Sequence, residues 1–78
     1  MRTPKNCIFF DEIVTEYYNQ YGQKYEVKLV RDLKKHLAKL SHRSEIIIVT
    51  RQDIHKVTNW FIKHDLYKFT HTITNTAI

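Results

Sequence analysis

Two apolar runs in this chain each lead into a residue able to handle phosphate: Ile8-Phe9-Phe10 into Asp11, and Ile46-Ile47-Ile48-Val49 into Thr50. A carboxylate can attack phosphorus or hold a hard cation, and a hydroxyl can donate to a phosphoryl oxygen. Arg51 follows Thr50 directly and adds a permanent positive charge suited to an anionic ligand. If the two runs are neighbouring parallel strands, their carboxyl ends face one crevice, the place where ligands bind in open α/β sheets. Asp53 stands where it can cap a following helix, whose N-terminus favours anions.

The rest of the chain reads as the scaffold for those two ends. Met1–Asn6 is a polar lead-in, in which Pro4 keeps Thr3 out of helical geometry. Cys7–Phe10 reads as a strand buried on both faces. In Glu12–Tyr21 the spacing of Ile13, Tyr17 and Tyr21 suits one face of a short helix or helical turn after a loop, with Tyr18 and Tyr25 extending its aromatic surface and Gly22 as a stop. Glu26–Leu40 is the clearest helix. Its apolar stripe is Val27, Val30, Leu33, Leu37 and Leu40, widened by Leu29 and Ala38, against a charged face of Lys28, Arg31, Asp32, Lys35 and Lys39.

Glu45–Thr50 is β-branched without alternation, the pattern of a central strand buried on both faces. A helix capped by Asp53 runs to about Leu66, with Ile54, Val57, Phe61 and Ile62 on one face and Trp60 at its edge. The threonine-rich Phe69–Thr74 reads as an outer strand. The order strand, helix, strand, helix, strand predicts an α/β fold. It is a small three-stranded parallel sheet with flanking helices, the half-unit of a doubly wound sheet, with partly uncovered flanks.

The 78 residues make one domain, with residues 7–75 as its core. A chain of this size buries about 60% of its unfolded surface, so a second copy or a larger partner over a sheet edge is among the associations it allows. With 42% hydrophobic and 27% charged residues the composition is that of a soluble globular protein. Cys7 is the one cysteine, which excludes an internal disulfide and points to an intracellular, cytoplasmic chain; its apolar neighbours predict a buried, inert thiol. No secretion signal is visible, and no apolar run approaches the roughly 20 residues of a membrane helix. Much of the formal charge of +5 comes from Lys24, Lys28, Arg31, Lys34, Lys35, Lys39 and Arg43. Such a cluster is either a solvated helix face or a surface for a polyanion, and nucleic acid could be met through Lys28, Arg31, Lys35 and Lys39.

An apolar strand, an Asp and a Thr four positions on resemble the first motif of the haloacid dehalogenase superfamily, D-x-D-x-T. Glu45-Ile-Ile-Ile-Val-Thr50-Arg51 is similar to its second motif, and Val57–Tyr67 is similar to the helix that follows. The similarity covers about residues 7–75 and implies the front half of that family's Rossmannoid fold. Carried over by position, it puts the nucleophile at Asp11, the hydroxyl that holds a phosphoryl oxygen at Thr50, and the closing residue of the first motif at Thr15. A phosphate-bearing small molecule is the ligand it implies, met also by Arg51. Mg²⁺, held through Asp11, is implied only for an active enzyme; otherwise no cofactor is expected.

The departures are chemical. The family's second Asp, its general acid/base, falls on Ile13, and an alkyl group transfers no proton. A two-residue deletion aligns Val14-Thr15 beyond the motif instead and removes the catalytic loop. The later motifs, a Lys and one or two Mg²⁺-binding acids, come beyond the strands of this chain, where after Asp53 only Asp65 is acidic. One carboxylate is a poor Mg²⁺ site. The expectation is a reduced, phosphatase-related domain that is catalytically incomplete.

Other chemistries find less support. His36, His42, His55, His64 and His71 lack zinc-site spacing, Gly22 makes no phosphate loop, and Ser41, Ser44 and Cys7 have no recognisable base. Tyr17, Tyr18, Tyr21 and Tyr25 could stack on bases or pack over the core. Two alternatives of other classes remain: a small basic nucleic-acid-binding module of winged-helix type, and a protein-interaction domain using its uncovered edges. A central parallel strand at Ile46–Val49 separates the first of these from the α/β reading.

Overall fold

The computed structural model describes residues 4–22 and 26–76 in full, together with the backbone of Tyr25. The expectations placed on Thr3, Lys24 and the side chain of Tyr25 lie outside the described residues. Strand β1 (Lys5–Phe9) passes directly into helix α1 (Phe10–Tyr21), which is followed by helix α2 (Tyr25–Ser41). Strand β2 (Glu45–Thr50), helix α3 (Ile54–Lys63), a single 3-10 turn (Tyr67–Phe69) and strand β3 (Thr72–Asn75) complete the chain. The sheet is parallel throughout in the order β1-β2-β3, with Cys7 opposite Ile47 and Ile47 opposite Thr72. β2 is thus the central strand of a parallel sheet. That excludes the winged-helix arrangement and fits the small α/β fold.

Burial along β2 alternates. Ile46, Ile48 and Thr50 are buried, whereas Glu45, Ile47 and Val49 are half-buried. This corrects the expectation of a strand covered on both faces, for a topological reason. Right-handed crossovers that build a sheet in one direction place their helices on one face. The core lies there: Leu29, Leu33 and Leu37 from α2, Val57 and Phe61 from α3, Phe10 from α1, and Leu66 beyond α3, all against Ile46 and Ile48. On the opposite face Phe9 is 49% exposed and Cys7 is exposed, so the expected buried thiol is corrected too.

The helices obey the same geometry. In α2 the inward row is Leu29, Leu33 and Leu37, spaced four apart, with Val30 and Leu40 packed at its margin. Val27, predicted in that row, is 79% exposed, because two residues before Leu29 on a helix is a rotation of about 160° from it, onto the outer side. In α3 Val57 and Phe61 point inward and Trp60 packs against the core, leaving Ile62 57% exposed. Asp53 caps α3 as expected, its carboxylate accepting from the His55 N–H at 3.1 Å. α3 ends at Lys63 rather than near Leu66, where Asp65 turns the chain with φ 58°. Gly22 closes α1 with φ 72°, donating its N–H to the Tyr18 carbonyl.

Aromatic packing joins the helices: Phe10 meets Trp60 edge-on at 5.0 Å and Phe61 at 5.4 Å. At the amino end of the sheet the buried Ser44 donates to the Leu40 carbonyl and accepts from Asn6 Nδ2 at 2.6 Å, tying β1 to the α2–β2 corner. No helix among the described residues is long and apolar enough to cross a membrane.

Candidate functional site at the strand ends

The carboxyl ends of β1 and β2 meet as expected. Phe9 pairs with Val49, which brings the first turn of α1 beside the end of β2. Thr50 Oγ1 donates to Asp11 Oδ1 at 2.7 Å, and the Arg51 N–H donates to Asp11 Oδ2 at 2.7 Å. Gln52 Nε2 adds a third bond, to Oδ1, at 3.0 Å. Burial raises the Asp11 pKa. The hydrogen bonds from the Arg51 N–H, Thr50 and Gln52, with the charge of Arg51, outweigh it and hold the group below the ordinary 3.8. Asp11 is therefore an ionised and well-anchored carboxylate.

The Thr50 hydroxyl is fully engaged as well. It donates to Asp11 and accepts from the Gln52 N–H at 3.0 Å, and the side chain lies in the buried layer at 1% exposure. Thr15 turns back on its own helix, donating to the Asp11 carbonyl at 2.8 Å. Ile13 packs against the core on the other side of α1. The loop expected before this helix is absent: β1 ends at Phe9 and α1 begins at Phe10, so Asp11 sits in a helical first turn.

A cleft of about 460 Å³ opens beside these groups. Its floor is Phe9 and Val49 from the uncovered sheet face, and one wall is the α1 row Glu12, Thr15, Glu16 and Asn19. Asp11, Thr50 and Arg51 close one end and Thr76 borders it. Three carboxylates against one guanidinium give the cleft a negative field, a poor environment for a free phosphate dianion. The exposed Arg51 side chain is the lining group best able to meet an anion. Mg²⁺ does not fit the residues present. Asp11 already accepts three hydrogen bonds, and among the described residues no group of three His, Cys, Asp or Glu side chains is placed to hold a metal.

Sequence reasoning missed Gln52 and Asn75. Asn75 Nδ2 donates to the Thr50 carbonyl at 3.1 Å and to the Gln52 carbonyl at 2.7 Å, so β3 braces the β2–α3 turn that holds Asp11. A polar amide at each position was the available signal, but only the register Thr50 opposite Asn75 gives it meaning. The Thr76 hydroxyl is buried without a hydrogen-bond partner among the described residues. No family model matches the chain, and neither the curated proteins nor the solved structures yield a significant match.

Proposed function

We propose that this chain is a reduced haloacid dehalogenase-like domain, related to phosphatases, that acts by binding and not by turnover. The observation that carries this reading is the engagement of Asp11 by three donors, from Thr50, Arg51 and Gln52. A carboxylate holding three donors, with its pKa lowered, is a weak nucleophile. The alkyl side chain at Ile13 supplies no proton to a leaving group, and the acids around the cleft make no Mg²⁺ site. The affinity for a phosphate-bearing ligand that remains rests on Arg51, because the Thr50 hydroxyl is already used on both sides.

An aryl phosphate assay with Mg²⁺ tests the first half: no turnover above background is expected, and turnover abolished by Asp11→Asn overturns it. Calorimetry with inorganic phosphate tests the second, with weak binding expected and its loss in Arg51→Ala.

A second surface supports a second binding role, for a polyanion such as nucleic acid. Residues 26–43 hold Lys28, Arg31, Lys34, Lys35, Lys39 and Arg43 against Glu26 and Asp32, four of the chain's five net positive charges. Lys35, Lys39 and Arg43 are exposed, and none of them makes an ion pair with a described residue. Retention on heparin that falls steeply with salt is the expected result.

A further inference from the structure

The cationic surface of α2 has an internal order that charge alone does not supply. Lys28, Arg31, Lys35 and Lys39 recur at three- and four-residue intervals and so form one row along the helix. At 1.5 Å per residue the row spans about 16 Å, with steps of about 5 Å. The buried row Leu29, Leu33 and Leu37 fixes how the helix is rotated, so the cations are held outward. The single acid within the row, Asp32, is occupied by Tyr17 Oη at 2.8 Å, by Lys28 at 3.5 Å and by Arg31 at 3.8 Å, leaving Lys35 and Lys39 as the cations of the row without an ion pair to a described residue.

Tyr21 stands at the amino end of this row. Its ring is 42% exposed, Lys28 Nζ lies 5.0 Å from the ring centroid, and Tyr17 backs it at 5.5 Å. Tyr17 is in turn fixed by its bond to Asp32, and α1 ends at Gly22 immediately after Tyr21. An aromatic platform is thus anchored beside the first cation of the row. The Lys28 ammonium is carried on a flexible stem and can leave the ring for a phosphate, which frees a ring face for a base.

We propose that single-stranded nucleic acid binds along the outer face of α2, its phosphates on Lys28, Arg31, Lys35 and Lys39 and a base stacked on Tyr21. The proposal rests on the polyanion-binding reading above and specifies its partner. A duplex presents phosphates at about twice the axial density but keeps its bases stacked on each other, so it offers Tyr21 no ring to meet.

Fluorescence anisotropy with a labelled oligothymidylate, its duplex with oligoadenylate, and labelled heparin separates the two levels. Tighter binding of the single strand is expected, with log affinity falling against log salt at a slope of about −3 for four phosphate contacts. Tyr21→Ala is expected to weaken oligothymidylate binding by about 5- to 100-fold and leave heparin binding unchanged, while Tyr21→Phe retains the wild-type affinity. The double variant Lys35→Gln/Lys39→Gln is expected to weaken both ligands and to flatten the slope by about 1.4. Equal binding of single strand and duplex, or wild-type affinity in Tyr21→Ala, overturns the stacking proposal and leaves the charge reading standing. Absence of binding to all three ligands at low salt overturns both.

Discussion

Thr50 Oγ1 and Asp11 Oδ1 lie 2.7 Å apart across 39 positions of sequence, and the bond between them closes the seam where β1 enters α1 and β2 leaves the sheet. With the Arg51 N–H on the other carboxylate oxygen, Asp11 acts as a clamp across two strand ends. Residues that the resemblance would turn toward a substrate here satisfy one another.

Asp11→Asn is expected to destabilise the fold by about 1–3 kcal/mol, because the amide brings an N–H against a donor it cannot accept from. Urea unfolding measures this directly. The pH dependence follows from the lowered pKa of Asp11. A carboxylate depressed in the folded state contributes stability that is present above its unfolded value near 3.8 and is lost as pH falls through the folded value. Acid unfolding below about pH 4 should therefore be shallower in the Asn variant. An unchanged acid limb removes the clamp from the account.

Ile13→Asp places a carboxylate where the resemblance puts the general acid/base. The expected outcome is no gain of aryl phosphatase activity, since α1 directs this position toward the core. The substitution should cost about 1–3 kcal/mol for the charge brought against apolar neighbours. Measurable Mg²⁺-dependent turnover in this variant would show that the site is one residue from competence.

Tyr17 gives a prediction at the other end of the pH scale. Its hydrogen bond to Asp32, then burial, then the charges of Asp32, Tyr21 and Glu16 push its pKa up to about 12. The folded state keeps a proton that the unfolded chain releases near 10, so this stability is present below pH 10 and is lost as pH rises toward 12. Absorbance titration of tyrosinate should show one late-ionising group. Tyr17→Phe should remove it and flatten the alkaline loss of stability.

Cys7 faces the uncovered side of the sheet, so a thiol reagent should modify the native protein fully without denaturant. Protection until unfolding would mean that something covers that face in solution.

Much of this arrangement was legible in the residues, and the limits have physical causes. The β2 bounds, the Asp53 cap and the Gly22 stop follow from local chemistry, which a sequence carries directly. The convergence of Asp11 and Thr50 also followed, from the rule that parallel strand ends share a crevice. What Ile47 and Val49 face could not be read. An apolar strand residue looks the same whether a second helical layer covers it or solvent does, and only the direction of the crossovers decides. Val27 and Ile62 lie outside the expected faces because the buried rows centre on Leu29, Leu33 and Leu37 and on Val57 and Phe61, and a rotation of about 100° or more carries a residue off such a row. Gln52 and Asn75 were invisible because their role depends on a three-way register among β2, β3 and the turn between β2 and α3.

The uncovered sheet face bears on colloidal behaviour. Cys7, Phe9, Ile47 and Val49 form an apolar band between two strand edges, β1 and β3, that no described residue pairs, which is adhesive geometry for identical copies. The +5 charge opposes that contact at long range. Raising ionic strength to about 1 M shortens the screening length to about 3 Å and removes the repulsion while leaving the band intact. Light scattering should then rise with salt, so the conditions that weaken the proposed polyanion contact on α2 are the ones under which copies of the chain are expected to begin to stick.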